Sequence, residues 1–290
     1  MIDLLEPFSY DYMTTAIWVS ALVGAVCAFL SAYLMLKGWS LIGDALSHSV
    51  VPGVAGAYIL GLPYSVGAFI SGGLAAAAML FISQRSMLRT DAVIGLVFTG
   101  FFGLGLFLVS LSPTSVNINT IIFGNILAVT PVDALQLIII AGVTLILLMI
   151  YWKDIMVVFF DESHAKSIGL HTNAIKILFF TLLSASTVAA LQTVGAFLVI
   201  AMVVTPGATA YLLTDRFPML IVLSVAIGSV SSALGAYLSY FLDGATGGII
   251  VLLQTILFVL AFYFAPKHGV RATKRRAEKH RLDSSVSDAI

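Results

Sequence analysis

Six stretches of this chain run for 19 residues or more without a charged side chain, and a seventh, Ile177–Thr214, runs for 38. A helix crosses the hydrocarbon of a bilayer, roughly 30 Å, with ~20 apolar residues. Each of the six is therefore long enough for one crossing: Met13–Leu36, Pro63–Ser83, Val93–Leu111, Ala134–Trp152, Phe217–Leu242 and Gly244–Pro266. As one helix the seventh would measure roughly 57 Å at ~1.5 Å per residue, too long for one crossing. A break near Gln192-Thr193-Val194-Gly195 divides it in two. The segment from about Ala45 to Gly61 is apolar except for His48 and adds another span. The expected architecture is all-α, a polytopic membrane protein of nine helices. The count becomes eight if Ile177–Thr214 is a single long broken helix. Pro63, Pro131 and Pro218 stand where a first helical turn accepts proline.

Composition closes off the alternatives. Hydrophobic residues make up 60% of the 290, charged residues 10%, and the mean hydropathy is +1.08. A soluble domain carries about 25% charged residues and needs them to enclose its core. Soluble enzymes, nucleic-acid binders and secreted scaffolds are excluded on this ground. One cysteine, Cys27, makes neither an intrachain disulfide nor a cysteine metal cage.

Net charge is zero, with fourteen bases and fourteen acids, but the two signs are distributed unequally. With nine spans and the N-terminus outside, every base falls on the inner side: Lys37, Arg85, Arg89, Lys153, Lys166, Lys176, Arg216 and the seven from Lys267 to Arg281. The outer loops hold Asp3, Glu6, Asp11, Asp133 and Asp243 and no base. Eight spans would break that pattern. The expected organisation is an outer N-terminal segment (1–12), a transmembrane domain (13–266) with an inner loop at 153–176, and a basic, disordered cytoplasmic tail (267–290). The first twelve residues lack the basic leader of a signal peptide. In the outer connection 112–131, the apolar piece Ile121–Val129 is too short to cross.

Ionisable groups inside a membrane are costly, so each is a functional candidate. Asp44 and His48 stand at i and i+4, which puts both on one helical face within reach of a common point. A carboxylate oxygen and an imidazole nitrogen make half a site for a divalent cation, and a two-fold axis would supply the other half. Two structural readings stay open: Asp44 as an N-cap, and His48 as a core histidine bonded to a carbonyl. The inner loop begins with Asp161 and Glu162, which suit a helix N-terminus. Ala165 and Gly169 follow four apart, a smooth face for another protein. The chain has no Gly-x4-Gly-Lys-Ser/Thr loop, no His-Glu-x-x-His and no Gly-x-Ser-x-Gly, so ATP hydrolysis and hydrolase chemistry are not expected of it. Pro52 and Pro206 are expected to break helices where freed carbonyls face a cavity.

The stretch KGWSLIGDALSHSVVPG (Lys37–Gly53) closely resembles the signature of the manganese/zinc/iron permeases of ABC importers. VAALQTVG (Val188–Gly195) followed by VTPGATA (Val204–Ala210) resembles a second signature of that family, and NTIIFGNIL (Asn119–Leu127) its outer-loop motif. DGATGG (Asp243–Gly248) and APKHG (Ala265–Gly269) are most similar to the manganese/chelated-iron permeases of the Yfe and Sit type. The likeness runs from about residue 7 to 270, short of the basic tail. It implies an inner-membrane permease for Mn²⁺ or Fe²⁺, with Zn²⁺ the alternative, and no permanently bound cofactor. It implies three partners besides membrane lipid: a cytoplasmic ABC ATPase dimer, a second permease copy or paralogue, and an extracytoplasmic metal-binding protein docking near 112–131 and 61–64. Asp44 and His48 match the positions that hold the cation. Residues 159–170, with Asp161, Glu162, Ala165 and Gly169, match the helix that couples to the ATPase. A proton-coupled carrier, in which Asp44 or His48 exchanges a proton for the ion, is the rival mechanism.

Overall fold

Helix α1, Asp11–Lys37, is buried along most of its length, from Met13 to Leu34. A helix that is apolar on every side belongs in the middle of a bundle. Here α1 is packed by α6, α8, α9 and α10. The computed structural model describes residues 5–39, 41–111, 129–265 and Gly269. A short 3-10 turn, Glu6–Ser9, leads into α1. The remaining helices in order are α2 (Ile42–Ser49), α3 (Val51–Leu60), α4 (Tyr64–Arg85), α5 (Thr90–Leu111), α6 (Pro131–Phe160), α7 (Glu162–Ser167), α8 (Thr172–Val194), α9 (Ala196–Leu213), α10 (Phe217–Leu242) and α11 (Thr246–Phe264).

Among the described residues, seven helices are long and apolar enough to cross a bilayer: α1, α4, α5, α6, α8, α10 and α11. The segment read as one span from about Ala45 to Gly61 is two short helices, α2 and α3. The run Ile177–Thr214 is divided at Gly195, as expected. Gly195 has φ +85°, a backbone conformation that a side chain disfavours. The helix expected over Ala134–Trp152 continues through Lys153 and Asp154 to Phe160. The inner loop 153–176 therefore holds the end of α6, all of α7 and the start of α8. The outer piece Ile121–Val129, except Val129, and the tail 267–290, except Gly269, lie outside the described residues.

Lipid tails are as apolar as leucine, so helices in a bilayer associate through close packing and interhelical hydrogen bonds. Small residues make the closest crossings. A Cβ on Gly24 would stand 2.4 Å from the Gly228 carbonyl oxygen, so α1 and α10 touch backbone to backbone. Ser224 on α10 donates to the Ala28 carbonyl at 2.6 Å beside that crossing. At one end of α1 the buried Tyr33 ring meets Phe159, Phe179 and Phe217, and its hydroxyl donates to the Trp152 carbonyl at 3.0 Å. That knot ties α1 to α6, α8 and α10.

Two interruptions of the helices are repaired by serines from neighbouring helices. Pro52 has no N–H to give the preceding turn, and the chain breaks between α2 and α3. Ser71 on α4 donates to the Ser49 carbonyl at 2.6 Å, at that break. Pro206, expected to end a helix, instead sits inside α9. The hydroxyl of Ser31 on α1 accepts from the Gly207 N–H and donates to the Val204 carbonyl, each at 3.1 Å. The α9 ladder thus passes through a side chain of α1 and continues. Ser31→Ala should strand a buried N–H and lower stability by about 1–3 kcal/mol. A drop in the thermal midpoint of the detergent-solubilised protein checks this, with an exposed serine such as Ser110→Ala as the unaffected control.

Candidate functional site

Asp44 lies in the first turn of α2 and His48 in its last. The N-cap of this helix is Leu41, with no side-chain cap, so Asp44 is not the capping residue. Its carboxylate instead faces His48, with Oδ1 3.4 Å from Nε2. Two donors each about 2.1 Å from one ion, at ~90–109°, stand roughly 3.0–3.4 Å apart, so the pair has the spacing of adjacent ligands. The side chains keep 42% and 30% of their surface, so a further group can approach them. Among the described residues no cluster of three or more His, Cys, Asp and Glu side chains forms a metal-sized group. The pair offers one carboxylate oxygen and one imidazole nitrogen side by side.

Four helices hold α2 in place: α4, α5, α8 and α9. A Cβ on Gly43 would meet Val203 of α9 at 2.8 Å, so glycine beside Asp44 lets the helix sit flush. The two neighbouring hydroxyls turn back onto the helix, Ser47 onto the Gly43 carbonyl and Ser49 onto that of Ala45. Those bonds leave the carboxylate and the imidazole as the outward-facing groups. Phe98 and Phe102 of α5 meet the imidazole edge to face, with centroids 5.7 and 5.5 Å away, and stack on each other at 5.8 Å. These rings wall the histidine on one side and limit its rotation. Their i, i+4 spacing in Phe98–Phe102 was available in the sequence, but an aromatic pair on an apolar span reads equally well as lipid-facing bulk.

The second candidate surface is α7. Asp161 is its N-cap, and Oδ1 accepts from the His164 N–H at 3.0 Å. Gly169, with φ +85°, closes the turn, and the Leu170 N–H donates to the Ala165 carbonyl at 3.0 Å. Ala165 was expected on the surface offered to another protein. It is fully buried, because α7 lies on α6 and α8 with this residue inward. The exposed residues here are Asp161, Ser163, His164, Lys166, Ser167, Ile168 and Gly169. Glu162 looks the other way, pairing with Lys166 at 3.0 Å and with the buried Lys176 of α8. The hydrogen bond from Lys176 holds the Glu162 carboxyl below its ordinary range, against the opposing effect of partial burial. In the sequence Lys176 counts only as one of the inner-side bases, because a base one residue before an apolar span reads as a topology signal.

The fold is thus a bundle of membrane-length helices that holds the Asp44–His48 carboxylate–imidazole pair on a short helix. Residues 9–265 match the ABC 3 transport family, and the chain belongs to it. It is 66% identical to the chelated iron transport system membrane protein YfeC of Yersinia pestis, over 98% of this chain and 96% of that protein. It is 49% identical to the manganese transport system membrane protein MntB of Synechocystis, over 94% and 89%. Among solved structures, PsaBC from Streptococcus pneumoniae in complex with Fab superposes with a TM-score of 0.81 at 35% identity, covering 94% of this chain and 98% of that one.

The Glu162 pairing predicts a pH signature. A carboxyl lowered by its partners stabilises the fold fully above its ordinary value of 4.5 and loses that contribution as pH falls further, through the lowered value. In melts across pH, the difference between the native protein and Glu162→Gln should stay level from about pH 7 to 5. It should shrink only below that range.

Proposed function

We propose that this chain is the membrane-spanning subunit of an ATP-driven importer that carries Mn²⁺ or Fe²⁺ into the cytoplasm, with Asp44 and His48 as its cation ligands. The observation that carries the reading is the 3.4 Å carboxylate–imidazole pair on a helix held inside a membrane bundle. The names of the relatives, chelated iron and manganese transport proteins, agree with a divalent cargo. The ion loses part of its hydration on reaching the pair. A second permease subunit contributes the same pair from the opposite side and completes the sphere. Oxygen and nitrogen donors suit Mn²⁺ and Fe²⁺ and leave the finer choice of metal to the protein that delivers it.

The chain crosses the membrane nine times in this reading, with α2 and α3 forming one broken crossing and α8 and α9 two. The N-terminus is then outside and the C-terminus cytoplasmic in the inner membrane. The meeting of Lys37, Lys166 and Lys176 around one cavity supports this placement. ATP is hydrolysed by a separate cytoplasmic ATPase pair that docks on α7. Asp161 caps that helix, Gly169 ends it, Ala165 seats it on the bundle, and Glu162 ties it to α8. ATPase closure pushes α7 and alternates access to the pair. An extracytoplasmic binding protein supplies the ion.

Radiolabelled manganese uptake in cells carrying the whole system tests the assignment. Asp44→Asn and His48→Ala should each lower uptake at least about tenfold, a loss that even outer-shell changes around a metal produce. Normal membrane insertion of both variants is the control. Undiminished uptake by both would remove the pair from the pathway. Uptake that continues without the ATPase would favour a proton-coupled carrier instead.

A further inference from the structure

One end of the bundle holds a cavity of about 500 Å³ lined by residues of α1, α2, α4, α5, α7 and α8, with Ile42 the residue from α2. Lys37, Lys166 and Lys176 line it together with Glu162, and Gln84 and Asn173 lie at its wall. Three ammonium groups against one carboxylate leave the chamber with a charge of about +2 at neutral pH. Lys37 donates to the Phe159 carbonyl at 3.1 Å and lies 5.9 Å from the centre of the Trp39 ring. Each ammonium carries three donors, so the bonds to Phe159 and Glu162 leave N–H groups for an anion.

A second, apolar crevice of about 180 Å³ runs along the seam between α4 and α8. Leu80 and Phe180 line both spaces, so the crevice adjoins the charged chamber across these two side chains. Its sides include Gly73, Ala77, Ile177 and Thr181, all exposed on helices long enough to cross a bilayer. A Cβ on Gly73 would meet nothing within 4 Å, so the groove is open there. A positive chamber beside an open apolar groove has the polarity of a lipid with an anionic head. Basic pockets between membrane helices recognise such head groups.

We propose that the chamber and the crevice together bind one anionic phospholipid, with its phosphodiester among Lys37, Lys166 and Lys176 and an acyl chain along the α4–α8 seam. The site joins α7, through Lys166 and Glu162, to α4 and α8, so the bound lipid braces the corner that the transport reading assigns to ATPase docking. The inference goes beyond that reading and requires only that the chain lie in a bilayer.

Native mass spectrometry of the full chain, with any subunits that co-purify, tests it. The probes are dioleoylphosphatidylglycerol, dioleoylphosphatidylcholine and glycerol 1-phosphate. The expected result is one retained phosphatidylglycerol per chain, with phosphatidylcholine bound far more weakly. Affinity for phosphatidylglycerol should fall about fivefold for each of Lys37→Gln and Lys166→Gln, in line with one basic residue at a membrane surface. Gly73→Leu should weaken it as well by filling the groove. Lys166 is exposed and Gly73 faces open space, so these two variants keep the test valid if Lys37→Gln fails to fold. Equal binding of the two lipids, or lysine variants that bind as the native chain does, would overturn the proposal. So would glycerol 1-phosphate matching phosphatidylglycerol while Gly73→Leu has no effect, which would identify a free phosphate compound as the ligand. Metal uptake by the Asp44 and His48 variants is a separate readout, so the two readings fail independently.

Discussion

Hydrocarbon offers no hydrogen-bond partner to a peptide group, and the whole arrangement of this protein follows from that restriction. Wherever the backbone stays helical it satisfies itself. Where a proline interrupts the ladder, at Pro52 and at Pro206, a serine from another helix bonds the backbone beside it: Ser71 the Ser49 carbonyl, Ser31 Gly207 and Val204. These serines are more than repairs. They fix α4 against the α2–α3 break and α1 against α9, the helix whose Val203 rests on Gly43 beside Asp44. The irregular backbone and the ionisable pair thus share one neighbourhood, and each proline there is matched by a hydroxyl from outside its own helix.

The same restriction explains which features could be read from the residues. Charge-free runs locate helices because a charge in hydrocarbon is penalised, and the division at Gly195 follows from length alone. The spacing of Asp44 and His48 is local and survives folding unchanged. Other features depend on partners distant in the chain. Pro206 in isolation signals a break, and only Ser31, on α1, explains why α9 carries on through it. Ala165 and Gly169 at i and i+4 look like one outward face. The seating of α7 on α6 and α8 turns Ala165 in, while Gly169, beyond the last helical turn, stays out. The two phenylalanines beside His48 were similarly opaque, since their pattern matches any lipid-facing helix.

Charge in this chain is scarce enough that each group can be followed. The acids and bases cancel in sum, yet three lysines from α1, α7 and α8 meet around a single glutamate. Glu162 satisfies two of them, and the Phe159 carbonyl engages the third. The corner is therefore held by electrostatics, while the Tyr33 knot holds the adjoining helix ends by aromatic packing.

The ion pair between Glu162 and Lys176 has a mechanical consequence. Lys176 sits one turn into α8, and the helix continues without interruption to Val194, just before the break at Gly195. Between these residues α8 is a rod of about 27 Å. A tilt of about 5° at the lysine end sweeps the far end through about 2 Å, comparable with the helix displacements of ~1–2 Å that accompany switching at subunit interfaces. A six-residue helix at one end of the molecule is thereby tied, through a single carboxylate, to a rod that reaches the break between α8 and α9.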